Sequence, residues 1–287
     1  MKQILLDDVI KIDDKLISKG ISINHRPLAA AIELKKSYYI KELGMKFEED
    51  IMRIYNLLYP DQKFNFPNLL VGGVAFRDQF YIVRIPIIYG NIINFYDFVD
   101  IKRKELEIIY KYYPAQYQQA MYCVCDLYDI AYGIDDLCKI YTSEKSHWLR
   151  KVLSNIRATT FTLSENIDLD SVLQSSLLSI ELAAKYCLLI KGHPEEYLRK
   201  KIGHNKNKII QELSKLNFIE NNFMKIYTSL PDYVESRYEN IKMTKLDLVN
   251  IAIKSQFLVS EIIRYLSDRN LAKDSGLAIE FYRPAFK

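Results

Sequence analysis

The residues best suited to chemistry gather between Leu198 and Lys208, in the stretch LRKKIGHNKNK. It holds Arg199, Lys200, Lys201, Lys206 and Lys208 together with His204 and contains no acid; carboxylates flank it only at Glu195, Glu196 and Glu212. Fixed cations packed this closely raise a local potential that draws phosphates. The plainer reading is a solvated loop between helices, and composition does not separate the two. A second candidate follows Pro231, where Tyr233, Arg237 and Tyr238 end a helix. A guanidinium offers a planar fork for phosphate and a tyrosine ring can stack. The alternative there is Arg237 paired with Glu239 or with the carbonyls of the helix end.

Other reactive residue types point to less. Asp126, Asp129, Asp135 and Asp136 form the densest carboxylate group. Asp126 and Asp129 are three apart and share a helix face, as a shared cation would need. No second acidic helix matches them, so a solvated face is expected. Cys123, Cys125, Cys138 and Cys187 fit neither a zinc pattern nor a disulfide framework and read as reduced core thiols in a cytoplasmic protein. His25 and His147 read as caps or surface contacts. No Ser-His-Asp arrangement and no phosphate-cradling glycine loop is legible, and neither a metal nor a cofactor is expected.

The elements that position these residues follow from composition and periodicity. The chain has 287 residues, 49% apolar and 26% charged, with a net charge of +4, which fits a folded chain and gives no global reason to expect nucleic acid. Nine glycines and eight prolines are too few for a loop-rich all-β fold, and 22 tyrosines favour a helix-rich interior. The longest apolar runs, such as Phe80 to Ile88, are broken by charge and too short to span a bilayer. The start, MKQILLDDVIKIDD, shows no signal peptide.

Three helices are predicted in the first sixty residues, the third carrying the stripe Phe47, Ile51, Ile54 and Leu58. Leu69 to Phe76 and Phe80 to Ile88 read as a hairpin around Arg77-Asp78-Gln79, with Gly72-Gly73 marking a bulge or a close backbone approach and Pro86 an edge. Helices at roughly 102–113 and 115–131 follow, with Pro114 between them, and Gly133 with the IDDL segment stops this N-terminal half. Beyond Ser143 the pattern is helical throughout. One helix holds Trp148, Leu149, Val152, Leu153 and Ile156. Another runs from Asp170, its N-cap, to Lys191, with Gly192 as its C-terminal stop. A short basic one begins at Lys206, and one runs from Asn222 to Ser236. The last, Lys245 to Leu266, has Thr244 and Asp247 as a near capping box and two apolar stripes, which places it centrally or in a dimer interface. The tail LAIEFYRPAF contains strand-forming residues and is expected to dock on the hairpin.

The order of these features resembles the HEPN domain, a helical bundle named for its occurrence in higher eukaryotes and prokaryotes. The carrying residues lie between about 147 and 270: Ile180-Glu181-Leu182-Ala183-Ala184-Lys185-Tyr186-Cys187-Leu188-Leu189 with Gly192, the step Gly203-His204-Asn205, the segment Tyr233 to Arg237-Tyr238, and a final helix through Ala252. The resemblance implies a bundle, commonly dimeric, that cleaves RNA or binds RNA or nucleotides, often in toxin–antitoxin, anti-phage or stress systems. Active ribonucleases of the family carry an arginine followed a few residues later by histidine. Arg237 is the positional match, and no histidine follows it. Arg199 and His204 meet that spacing literally, but before the third helix rather than at the family's catalytic place. Some HEPN domains follow a nucleotidyltransferase, which needs paired aspartates on a strand after its glycines. FYIVRIPII carries no acid, so an active transferase is not expected and Gly72-Gly73 is better read as a bulge.

The resulting expectation is a mainly α protein: an N-terminal α+β region with a small antiparallel hairpin over 1–142, a HEPN-like helical bundle over 143–270, and a tail over 271–287. The expected function is non-catalytic binding of RNA or a nucleotide by a homodimer, with Arg199, Lys200, Lys201, His204, Arg237 and Tyr238 meeting phosphate. The alternatives are a metal-independent endoribonuclease toxin using Arg199 and His204, and a structural module that binds a protein partner.

Overall fold

The computed structural model describes residues 6–38, 45–62, 68–87, 95–216, 221–238 and 242–277. The chain is mainly helical with one small antiparallel hairpin, and it divides into two compact units, Met1–Asn68 and Leu69–Lys287.

The first unit is built from α1 (Leu6–Ser18), α2 (Arg26–Tyr38) and α3 (Met45–Leu58). Phe47, Ile51 and Ile54 of the α3 stripe are buried with Val9, Leu16, Leu34 and Tyr55. The buried carboxylate of Asp13 is matched rather than stranded. Arg26 Nη1 lies 3.2 Å from it, Tyr55 Oη donates to it at 2.9 Å, and Tyr59 donates as well. Burial, with that carboxylate alongside, pushes the Tyr55 phenol far above its ordinary range.

In the second unit, β1 (Asn68–Phe76) and β2 (Gln79–Pro86) pair through a two-residue turn in which Arg77 takes a φ of 56°. Gly72 and Gly73 serve a close approach rather than the bulge expected of them. A Cβ on Gly72 would lie 2.2 Å from Leu127 Cδ2, and one on Gly73 2.1 Å from Phe80 Cζ. A 3₁₀ turn, Phe95–Phe98, follows, and Val99 bridges to Val83.

Next come α4 (Arg103–Tyr112) and α5 (Pro114–Ile140), with Pro114 at the first turn, where its missing N–H costs nothing. The predicted stop at Gly133 does not occur. Gly133 is kept inside α5 because Ile263 and Ser267 pack where its side chain would be; a Cβ there would lie 2.4 Å from Ile263 Cγ2. Two long helices, α6 (Ser143–Glu165) and α7 (Leu169–Ile190), lie against each other. At the start of α7 the N-cap position belongs to Asp168, and Asp170 falls inside the first turn. At its end, Gly192 at φ +100° lets its own N–H and that of His193 reach back to the carbonyls of Leu189 and Leu188.

The chain continues through α8 (Glu195–Tyr197), a π turn over Leu198–Ile202, α9 (Lys206–Leu213), α10 (Asn221–Ser229) and α11 (Glu235–Tyr238). The single helix expected over 222–236 is thus two, because Pro231 cannot supply an N–H to the ladder and disfavours helical backbone at Leu230. Finally α12 (Lys245–Ser267) opens with a complete Thr244–Asp247 capping box, and α13 (Leu271–Asp274) follows. Of the two stripes, Leu246 is exposed, while Val249, Ile253, Phe257, Leu248, Ala252, Val259 and Ile262 are buried. The helix is central: it packs on both α5 and α7.

That packing moves the division expected at residue 142. The hairpin, α4 and α5 share one core with α6, α7 and α12, because α5 buries Val124, Leu127, Ile130 and Ile134 against it. The solvated face expected for Asp126 and Asp129 is also corrected. Both are buried and both accept from Arg264 of α12, Asp129 Oδ2 at 2.7 Å from Nε. Asp129 Oδ1 accepts the Leu271 N–H at 2.9 Å. Burial nevertheless lifts the Asp129 carboxyl above the ordinary carboxylate range. All four cysteines are free thiols, three of them buried. His25 Nδ1 lies 2.8 Å from Ser22 Oγ, and His147 contacts the Glu144 carbonyl one turn back. One helix among the described residues, Leu169–Ile190, is long and apolar enough to cross a membrane, and 78% of that stretch is buried inside the protein. The tail from residue 278 onward lies outside the described residues.

Candidate functional site

Helix α7 is enclosed by α6 and α12, and α9 and α11 also pack against it. Its middle is therefore dry, yet it carries a charged pair. Glu181 and Lys185 are one turn apart, so they share a face. Lys185 Nζ donates to Glu181 Oε1 at 2.7 Å, and the two side chains are 6% and 4% exposed. A buried pair of this kind persists only when the remaining lone pairs are met. The remaining capacity of Glu181 is met by His204, whose Nδ1 lies 2.8 Å from Oε1 and 3.1 Å from Oε2.

The step Gly203-His204-Asn205 is what delivers this histidine. The Gly203 N–H closes the π turn on the Leu198 carbonyl, and Gly203 then takes φ 54°, ψ −140°, a backbone conformation that a side chain opposes. Two residues later Asn205 caps α9, its Oδ1 accepting from the Lys208 N–H at 2.9 Å. His204 is held between a glycine that turns the chain and an asparagine that starts the next helix. Its side chain remains 51% exposed, and its ring lies 5.3 Å from that of Tyr233. An ionised carboxylate only accepts, so Nδ1 donates and Nε2 is the free ring nitrogen; it bonds no described residue. Tyr227 is buried close by, and burial together with the Glu181 charge pushes its phenol far above its ordinary value.

The five cations divide. Lys206 Nζ donates to the carbonyls of Thr228, at 3.3 Å, and Leu230, tying α9 to the end of α10. Lys208 Nζ donates to the Lys201 carbonyl at 2.9 Å. Both are structural. Lys200 Nζ lies 2.6 Å from Glu196 Oε1, an exposed pair that solvent screens strongly. Arg199 and Lys201 are exposed and form no side-chain pair among the described residues. Successive residues of one helical turn fan outward, so Arg199, Lys200 and Lys201 spread charge around the turn and do not aim at one point. Arg237 and Tyr238 form the end of α11, which packs on α7.

Sequence reading found His204 and the cations but gave no site role to Glu181 or Lys185. The available signal was an i, i+4 opposite-charge pair inside an otherwise apolar helix, where a charge must be matched to be tolerated. Chemically the arrangement offers a half-exposed imidazole with one nitrogen anchored on a buried carboxylate, and exposed cations three to five residues before it in the chain. The other ring nitrogen can receive a proton or, once protonated, hold a phosphate oxygen. No group of three or more His, Cys, Asp or Glu among the described residues could hold a metal ion. Comparisons of the chain with protein-family models, with curated proteins and with solved structures give no match.

Proposed function

We propose that this chain is a HEPN-like protein that binds RNA or a nucleotide without cleaving it. Arg199, Lys200, Lys201 and His204 meet phosphate, and Arg237 and Tyr238 provide a second contact. Homodimerisation through the long helices and a role in a bacterial or phage defence or stress system belong to the same reading and rest on the family resemblance. One observation supports it above the others: a half-exposed histidine is anchored by a carboxylate buried in the helix beneath, beside exposed cations. Fluorescence anisotropy of a labelled single-stranded RNA, in chelator and over a salt series, tests it. Binding should weaken with salt, and Lys200→Ala with Lys201→Ala should flatten the log–log slope by roughly 1.4. No binding at low salt overturns the reading.

The same dyad favours a second reading, a metal-independent endoribonuclease. In it Glu181 orients His204, whose Nε2 takes the 2′-hydroxyl proton while Arg199 steadies the charge on phosphate. RNA cut in chelator, with a 2′-deoxy strand left intact and cleavage abolished by His204→Ala, would replace the first reading with this one.

A further inference from the structure

Away from α7, helix α4 and the residue after it leave Ile108, Tyr110, Tyr112 and Tyr113 all exposed, Tyr112 at 63% and Tyr113 at 38%. Scattered exposed apolar side chains need no explanation, whereas a contiguous group of them marks an interaction surface. The helical period sorts the residues of α4 into faces. Leu106 and Ile109 pack on the core, and Tyr110 lies with Arg103 and Glu107 on the side of Asp97. Lys104, Ile108, Lys111 and Tyr112 stand at i, i+4, i+7 and i+8 on a further face. At a rise of 1.5 Å per residue that face is about 12 Å long.

The face is cationic. Both acids of α4 are engaged elsewhere: Glu107 Oε1 lies 3.4 Å from Arg103 Nε, and Glu105 accepts the Tyr81 hydroxyl. Lys104 and Lys111 are exposed and enter no ion pair among the described residues. Lys111 Nζ lies 5.2 Å from the centroid of the Tyr112 ring. Past the helix end, Arg77 of the hairpin turn places its Cζ 5.6 Å from the centroid of the Tyr113 ring, and its backbone N–H donates to Gln116 Oε1 at 3.0 Å. Asp78 is the acid of that turn, set against Arg77, Lys104 and Lys111.

The cations call for an anion, and the exposed rings call for flat apolar groups attached to it. A single RNA strand presents both at every nucleotide, whereas a duplex keeps its bases stacked on one another. We propose that this face of α4, continued by Tyr113 and Arg77, is a stacking surface for single-stranded RNA. Phosphates meet Lys104, Lys111 and Arg77, and bases lie on the rings of Tyr112 and Tyr113. The proposal rests on the RNA reading above and adds to it a preference for unpaired bases, which a basic turn alone does not confer.

Fluorescence anisotropy on the full chain, in chelator and at low salt, tests it with two labelled probes: a mixed-sequence RNA strand, and the same strand annealed to its complement. Tyr112→Ala should weaken binding of the single strand at least about fivefold, the low end for one stacked base, and leave the duplex unchanged. Tyr112→Phe should retain full affinity, because the ring face and not the hydroxyl makes the contact. Lys104→Ala with Lys111→Ala should flatten the log–log salt slope of the single strand by about 1.4. These side chains are exposed, so circular dichroism should report a folded chain in every variant. Single-strand binding that none of the variants alters overturns this proposal and leaves the RNA reading standing, while a parent chain that binds neither probe overturns both. Equal weakening of strand and duplex by Tyr112→Ala also overturns it, since no base face would then be involved. Sedimentation with phosphatidylserine vesicles supplies the last arm: if Lys104→Ala with Lys111→Ala releases the chain from vesicles while RNA affinity stays unaltered, the face serves an anionic membrane and the proposal fails.

Discussion

His204 Nδ1 stands 2.8 Å from Oε1 of Glu181, so a half-exposed imidazole is braced by a buried carboxylate. Lys185 Nζ donates to the same Oε1 at 2.7 Å and neutralises the carboxylate. The brace makes the turn a positioned group rather than a loose basic loop, and its removal is measurable.

Glu181→Gln should strand the Lys185 ammonium in the core and cost about 3–5 kcal/mol in urea unfolding. Glu181→Gln combined with Lys185→Met removes both charges and should recover most of that stability. His204 then keeps only a neutral amide oxygen in place of its carboxylate anchor, and RNA affinity by anisotropy should fall severalfold. A double variant that binds RNA as well as the parent would leave the brace without a function.

Arg264→Met should strand Asp126 and Asp129, again costing about 3–5 kcal/mol near neutral pH. The penalty has a definite pH direction. Burial already raises the Asp129 carboxyl above its unfolded value, and losing the guanidinium raises it further. A raised folded pKa contributes stability below the unfolded pKa, and that contribution is lost as pH rises through the folded value. The variant's deficit should therefore shrink toward about pH 4.5 and grow toward pH 8. Urea midpoints of variant and parent measured side by side across that range read it, and a pH-independent gap would contradict it.

Gly133→Ala improves intrinsic helix propensity by about 0.8–1.0 kcal/mol, yet it should destabilise the protein. The new methyl would lie 2.4 Å from Ile263 Cγ2 and 2.7 Å from Ser267 Oγ, so α5 and α12 must part. Ile263→Ala removes the Cγ2 methyl and should therefore cost less stability in the Gly133→Ala chain than in the parent. A thermal midpoint raised by Gly133→Ala alone would show that the two helices do not meet there.

Gln256 is the clasp between α12 and the hairpin. Its Oε1 accepts the Gly73 N–H at 2.9 Å and its Nε2 donates to the Gly73 carbonyl at 2.9 Å. Gln256→Leu keeps the volume but leaves two buried backbone groups unmet, at about 1–3 kcal/mol each. Hydrogen exchange should show loss of protection at Gly73 first, ahead of the α7 amides. Uniform loss would mean that the hairpin unfolds only with the whole unit.

The local elements were legible because their causes are local. The α3 stripe, the Arg77-Asp78 turn, Pro114 at a helix start and the Thr244–Asp247 box each depend on residues within a turn or two. Three of the failures share one cause. Gly133 reads as a stop until Ile263 and Ser267 occupy its empty face, and Gly72-Gly73 reads as a bulge until Leu127 and Phe80 are brought against it. Asp126 and Asp129 read as a solvated face until Arg264, more than a hundred residues away in sequence, is placed between them.

The candidate site divides along the same line. Residue types and spacing alone mark the cationic turn, His204 within it, and a helical frame around it, because charge clustering and amphipathic period are properties of neighbouring residues. Which cations stay available, and what holds the imidazole, depend on contacts between segments far apart in the chain. Lys206 and Lys208 are consumed by carbonyls, and Glu181 reaches His204 across 23 positions of sequence. Burial and long-range pairing are set only when helices close on one another, and it is that closure which turns an apolar helix's lone glutamate into the support of a surface histidine.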